Sequence, residues 1–186
     1  MRGRTEPLER AQFLALRAAS PHDNEAHGFG ILGEMTLSEL FVGLGRERFD
    51  SLLGEVSMGA LRTYKLVDSF KVRARLLKLN RDKLRKAAPK LWDRLNEGDE
   101  DLARELSQGM LVSNLEFVVE ALDHLGIEHD GNGFFDKDAQ ADDKLVEGWR
   151  EKLLAAFRER YPEHLILLYI NHLDWELGKP ETVFVG

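Results

Sequence analysis

Apolar residues recur at steps of three and four along almost the whole of this 186-residue chain, and this spacing restricts the fold more than any other feature. A period near 3.6 is typical of an amphipathic α-helix, whereas a half-buried strand would alternate with a period of two. The chain is therefore predicted to be helical through most of its length. The clearest run comprises Leu102, Leu106, Leu111, Leu115, Val118, Leu122 and Leu125.

Residues that begin and end helices stand at the expected places. Thr36 and Glu39 have the spacing of a capping box, and we expect the helix that they open to continue to Leu53. Asn80 is predicted to cap a new helix, in which Pro89 should cause a kink or a division into two short helices. Gly126 is typical of a helix end.

The C-terminal part of the chain predicts two more helices. One is expected from about Ala141 to Arg160 and the other from Glu163 to Leu177. The second is apolar nearly all round between 165 and 170, which indicates a central or interface position.

Together these patterns predict an all-α, single-domain bundle of about six to eight helices. Residues 1–35 are expected to hold an N-terminal helix and a Gly-rich connector, and residues 36–178 the bundle. The tail, 179–186, should either pair as a short strand or hang free.

Composition excludes several classes of protein. The chain has no cysteine, so disulfide scaffolds, thiolate metal sites and cysteine nucleophiles are excluded. No window approaches the roughly 20 apolar residues of a membrane span, and the N-terminus lacks the long apolar core of a signal peptide. We therefore predict a cytoplasmic protein with no membrane contact.

Charge is distributed unevenly along the sequence. Residues 62–94 carry twelve Lys and Arg against three Asp and Glu, whereas residues 95–186 sum to −13. Such a block is consistent with nucleic-acid or polyanion binding, with a solvated face, or with contact between unlike halves of neighbouring subunits. The candidate contact residues are Lys71, Arg73, Arg75, Lys78, Arg81, Lys83, Arg85, Lys86 and Lys90.

The loop at 128–138 resembles the calcium-binding loop of EF-hand proteins. Glu128, Asp130, Asn132 and Asp136 fall at ligand positions 1, 3, 5 and 9 of that pattern. The loop departs from the family at position 1, which is Glu, and at position 12, where Ala139 has no ligand oxygen. The resemblance implies a degenerate Ca²⁺ site, and an ordinary structural loop is the alternative; no other cofactor is expected.

Four residues on the last predicted helix are the candidates for an enzyme of unknown type. Helical spacing can bring such side chains to one face, where they would serve as metal ligands or as acid and base, although ordinary surface pairs have the same spacing. The four are His164, His172, Asp174 and Glu176.

The leading prediction is a non-catalytic interaction or structural module that acts as a homo-oligomer or on another protein. It is motivated by apolar helix surface at 102–125 and 163–177 in apparent excess of what one chain buries, and by the lack of a recognisable catalytic motif. Nucleic-acid binding, a calcium site and an enzyme remain the alternatives.

Overall fold

The computed structural model describes residues 35–63, 80–135, 141–177 and 182–186. Most of these residues are helical, and the described ranges contain no strand, which confirms the all-α prediction. Eight of the helices have six or more residues, and one is a single turn of four. The helices are α1 (Leu37–Leu44), α2 (Arg46–Glu55), α3 (Met58–Thr63), α4 (Arg81–Asn96), α5 (Glu100–Ser113), α6 (Leu115–Leu125), α7 (Ala141–Lys144), α8 (Trp149–Phe157) and α9 (Glu163–Glu176).

The predicted helix starts are confirmed by their caps. Thr36 Oγ1 accepts from the Glu39 backbone N–H at 3.3 Å, and Glu39 accepts in return from the Thr36 N–H at 2.8 Å. The side chain of Asn80 accepts from the Lys83 N–H at 3.0 Å. These side chains satisfy backbone donors that a first helical turn leaves unpaired, so each boundary is specified locally.

Three predicted helices are each divided in two, and local backbone geometry explains why. Gly45 has φ +89° and ends α1 where α2 begins, so the helix predicted from Thr36 to Leu53 was wrong as one piece. The helix predicted from about Ala141 to Arg160 is interrupted between Lys144 and Trp149, and Gly148, at φ +76°, is the N-cap of α8. The run from Leu102 to Leu125 breaks at Asn114, whose side chain donates to the Met110 carbonyl and competes with the backbone ladder.

Proline 89 does not divide its helix. The α4 helix continues without a break from Arg81 to Asn96. The alternative of two short helices was therefore wrong. Burial of one face of α4, through Leu84, Leu91 and Leu95, holds the helix together across the missing backbone donor.

The last helix, α9, lies at the centre of the hydrophobic core. Its six residues from 165 to 170 are all buried, and it packs against α1, α2, α5 and α8. An aromatic cluster continues the core, with the Phe117 ring 5.6 Å from the ring of Tyr169 and 4.9 Å from that of Tyr161. Packing within the chain therefore accounts for the stretch 165–170, which is apolar on nearly all sides of the helix.

The last residues of the chain dock onto this core. Asn171 is buried, and its side-chain amide donates to the Phe184 carbonyl at 2.8 Å and accepts from the Phe184 N–H at 2.7 Å. Val183 lies so close to Gly43 of α1 that a Cβ there would be 2.4 Å from a Val183 methyl carbon. The tail therefore neither pairs with a strand nor hangs free within 182–186, because a core side chain takes the place of the partner strand.

Two further expectations concern the N-terminus and membrane spans. The predicted N-terminal helix and connector lie, apart from Met35, outside the described residues. Among the helices that are described, none combines the length and apolar composition needed to cross a bilayer.

Candidate polyanion-binding face

The α4 helix presents a basic surface opposite its buried face. Leu84, Ala88, Leu91 and Leu95 turn inward, since residues three and four apart share one side of a helix. The intervening cations point to solvent. We call Lys83, Arg85, Lys86 and Lys90, all exposed, the α4 basic face.

Two other arginines of α4 serve the fold instead. Arg81 donates from Nη1 to the carbonyl of Gly54 at the end of α2. Arg94 forms an ion pair with Asp99, whose other carboxylate oxygen caps α5 through the Leu102 N–H at 3.0 Å. These two side chains are therefore less available to a ligand than those of Arg85, Lys86 and Lys90.

The α4 basic face has few acidic neighbours. Arg85, Lys86 and Lys90 form no ion pair within the described part of the chain. Exposed Asp82 and Asp93 are the acidic residues of the helix, and they leave the segment 81–94 with a net charge of +4. The face is therefore positive and open to solvent.

A cleft of about 320 Å³ borders this face where α4 meets α2. Its lining includes Arg46 and Asp50 from α2 and Arg85 from α4. Arg46 donates from Nε to Asp50 at 2.8 Å, and its guanidinium lies 5.6 Å from the centre of the Trp92 ring. Arg46 thus adds a cation that lies far from the basic block in sequence.

The remaining candidates for polyanion contact lie outside the described residues: Lys71, Arg73, Arg75 and Lys78.

The enzyme candidates on α9 contact different partners, except that His172 lies near Glu176. His164 lies two helical turns before His172 and pairs through Nε2 with Glu55 of α2 at 2.9 Å. His172 shares a hydrogen bond of 2.9 Å between Nδ1 and the Ser107 hydroxyl, and its Nε2 is 3.9 Å from Glu176. Ser107 is 1% exposed, so this serine is shielded from an external substrate.

Asp174 is the most buried acid of the group. Its carboxylate forms an ion pair of 2.8 Å with Arg150 of α8. Burial raises the pKa of Asp174, and this effect outweighs the lowering by Arg150. No group of three His, Asp or Glu side chains in the described ranges is arranged to hold a metal ion.

The loop that resembles a calcium site uses its main carboxylate internally. Asp130 Oδ1 accepts from the N–H groups of Asn132, at 2.7 Å, and of Phe134, at 3.1 Å. Although slight burial raises the pKa of Asp130, these hydrogen bonds outweigh it and lower the pKa overall. Glu128 is exposed, and Asp136 lies outside the described residues.

A hydrogen-bonded bridge explains the shape of this loop. His129 and Phe135 form an isolated antiparallel bridge, and His129 also lies 3.1 Å from Asp123 of α6 through its Nε2. Among the predicted ligands that the structure describes, Asp130 and Asn132 hold the turn by hydrogen bonds to each other. The contacts of the described loop residues are those of a structural turn.

Comparison with known proteins adds no relative, because no protein-family model, curated protein or solved structure matches this chain.

Arg46 is the residue of this region that the sequence analysis missed. It lies 39 positions before Arg85, in a segment with net negative charge. Its position beside α4 depends on the packing of α2 against α4, which one-dimensional charge patterning does not contain. The only sequence signal was its four-residue spacing from Asp50, which is typical of many helix surfaces.

Proposed function

We propose that this protein is a non-catalytic binding module whose basic segment, 62–94, contacts a nucleic acid. The observation that carries the proposal is the exposure of the α4 basic face, where Arg85, Lys86 and Lys90 lack acidic partners among the described residues. Cations that project into solvent release condensed counterions when they contact phosphates, and this release favours binding.

The apolar surface that motivated a homo-oligomer is used within the chain. Most apolar residues of α5, α6 and α9 belong to one core, and Leu111, Leu125 and Trp175 pack half-buried against it. The exposed large apolar side chains of the described ranges are few and come from four separate segments of the chain: Val42, Phe134, Val146 and Val185. Protein interfaces usually centre on a cluster of buried apolar and aromatic anchors, so the described surface favours an electrostatic partner.

Self-association through unlike charges is the second candidate. The excess of 13 negative charges at 95–186 is the observation that favours it, because the basic segment of one copy could face that half of another. This candidate shares the basic segment with the first and differs from it in the partner.

A charge-reversal experiment tests nucleic-acid binding. The anisotropy of a labelled DNA duplex of about 20 base pairs would be measured with the wild type, with Lys86→Glu/Lys90→Glu, and with Lys144→Glu/Lys152→Glu. All four lysines are exposed, and both double variants change the net charge by the same amount. We expect the first variant to lose about tenfold or more in affinity and the second to bind nearly as the wild type does.

Equal losses in the two variants would show that only net charge matters. No binding by the wild type at low salt would remove the proposal. Thermal unfolding of each variant, followed by circular dichroism, controls for loss of structure.

A further inference from the structure

We infer that the cleft between α2 and α4 is a phosphate-binding site in which Arg46 and Arg85 hold the phosphate oxygens. This inference rests on the proposed function, since it names one contact point of the same basic surface. The cleft, about 320 Å³, is at the lower end of the size range of small-ligand sites, and a single phosphate with part of its attached group fits such a volume.

Arg46 is oriented before any ligand arrives. Asp50 accepts from its Nε at 2.8 Å, and Trp92 lies beneath its guanidinium. Trp92 in turn packs against buried Phe49, with 5.4 Å between the ring centres. Neither Nη atom of Arg46 has an acceptor among the described residues, so the outer edge of the guanidinium is available to an anion.

Arg85 contributes a second guanidinium from α4. Its side chain is exposed and forms no ion pair within the described ranges. Gly54 also lines the cleft, and its carbonyl accepts a hydrogen bond from Arg81. The lining carries two arginines against Asp50, an excess of one positive charge.

The lining selects for a phosphate carried on a larger group. Leu53, Ala88 and Pro89 add apolar wall to the same cleft. Such a wall can pack against the carbon skeleton that carries the phosphate. The two planar guanidiniums can donate hydrogen bonds to the several phosphate oxygens. A sugar–phosphate backbone has both features.

The three tryptophans provide the readout. Each tryptophan has one indole N–H that can be followed by NMR, and Trp92→Phe would identify the signal of Trp92. Inorganic phosphate would be titrated against chloride at constant ionic strength. We expect a saturable shift of the Trp92 signal, nearly unchanged Trp149 and Trp175 signals, and loss of the shift in Arg46→Gln/Arg85→Gln.

Duplex binding supplies the second measurement. Arg46→Gln/Arg85→Gln should weaken duplex binding about tenfold. It should also make the slope of log affinity against log salt concentration shallower by the amount that about two phosphate contacts contribute. Because Arg46 packs on Trp92, the single variant Arg85→Gln is included, and it should lose part of the affinity with unchanged stability.

The outcomes separate the cleft from the proposed function. In one outcome, duplex binding depends on Lys86 and Lys90 while phosphate does not shift the Trp92 signal and Arg85→Gln has no effect. That result would reject the cleft as a phosphate site and leave the proposed function standing. If phosphate shifts the Trp92 signal but the protein does not bind the duplex, the cleft is a phosphate site and nucleic acid is not the partner. The ligand would then be a free phosphate compound.

Discussion

At the scale of single residues, Asn171 joins the core to the end of the chain. It is 3% exposed, and its amide pairs with both backbone groups of Phe184. Substituting Asn171→Leu leaves the N–H and carbonyl of half-buried Phe184 unpaired and should lower the free energy of unfolding by about 1–3 kcal/mol. Urea unfolding measures this loss.

The matched control for that substitution is Asn96→Ala. Asn96 also donates to a backbone carbonyl, that of Trp92, but it is exposed. Loss of this hydrogen bond should lower the free energy of unfolding by no more than about 0.5 kcal/mol. Equal effects of the two substitutions would show that the tail contact contributes little.

The pH dependence of stability has a specific contribution from Asp174. Burial raises the pKa of Asp174 above its ordinary value of 3.8, so the folded state favours the protonated acid. The resulting stabilisation is complete below pH 3.8 and is lost as pH rises through the native pKa. Asp174→Asn should therefore become less destabilising, relative to the wild type, between about pH 4 and pH 7.

Chemical denaturation across that range checks the prediction, with exposed Asp143→Asn as the control for loss of one charge. A destabilisation by Asp174→Asn that grew with pH would show that the ion pair with Arg150, and not burial, dominates.

At the scale of elements, helix starts were predictable and helix breaks were not. Thr36 and Asn80 act within three residues, so their sequence context contains the whole interaction. The break at Asn114 falls within an uninterrupted apolar stripe, and Gly45 within another. Apolar periodicity continues across such breaks because both halves face the same core.

Two glycines test how the tail docks on α1. Gly43 and Gly54 are each the second-to-last residue of a helix, but only Gly43 faces a close neighbour, Val183. Gly54→Ala should raise the free energy of unfolding by up to about 1 kcal/mol, since alanine favours the helix. Gly43→Ala should lower it by about 1–3 kcal/mol through overpacking.

The double variant Gly43→Ala/Val183→Ala should recover part of that loss, because the smaller side chain makes room for the new methyl group. Stabilisation by Gly43→Ala alone would mean that the tail does not occupy this position.

The loop after α6 distinguishes a calcium site from a structural turn. Asp130 already accepts two backbone hydrogen bonds, which a calcium ion would have to replace. We therefore expect the same melting temperature in excess Ca²⁺ and in chelator, whereas Asp130→Ala should lower it. A rise in melting temperature with Ca²⁺ would restore the degenerate EF-hand interpretation of 128–138.

At the scale of the whole molecule, the charge map was accessible from the sequence, but its geometry was not. The basic block from 62 to 94 is visible by counting residues, and the exposure of Lys86 and Lys90 follows from the helical period. The cleft depends on α2 packing against α4, which brings Arg46 to Arg85. Long-range packing of this kind leaves no local pattern.

Light scattering after size exclusion tests the second candidate function at this scale. Association through unlike charges should appear at low salt and disappear as ionic strength rises. If the protein is a monomer at low salt as well as at high salt, self-association is ruled out and the proposal of nucleic-acid binding is unaffected.

The salt dependence of duplex affinity is the most direct test of whether the basic segment contacts phosphates. If the basic segment contacts phosphates, the logarithm of the association constant falls linearly with the logarithm of salt concentration, with a slope of about −0.9 per contact. We predict a steep slope for the wild type and one shallower by about two contacts for Lys86→Glu/Lys90→Glu. A slope that is the same in both proteins, or an affinity independent of salt, would contradict the account.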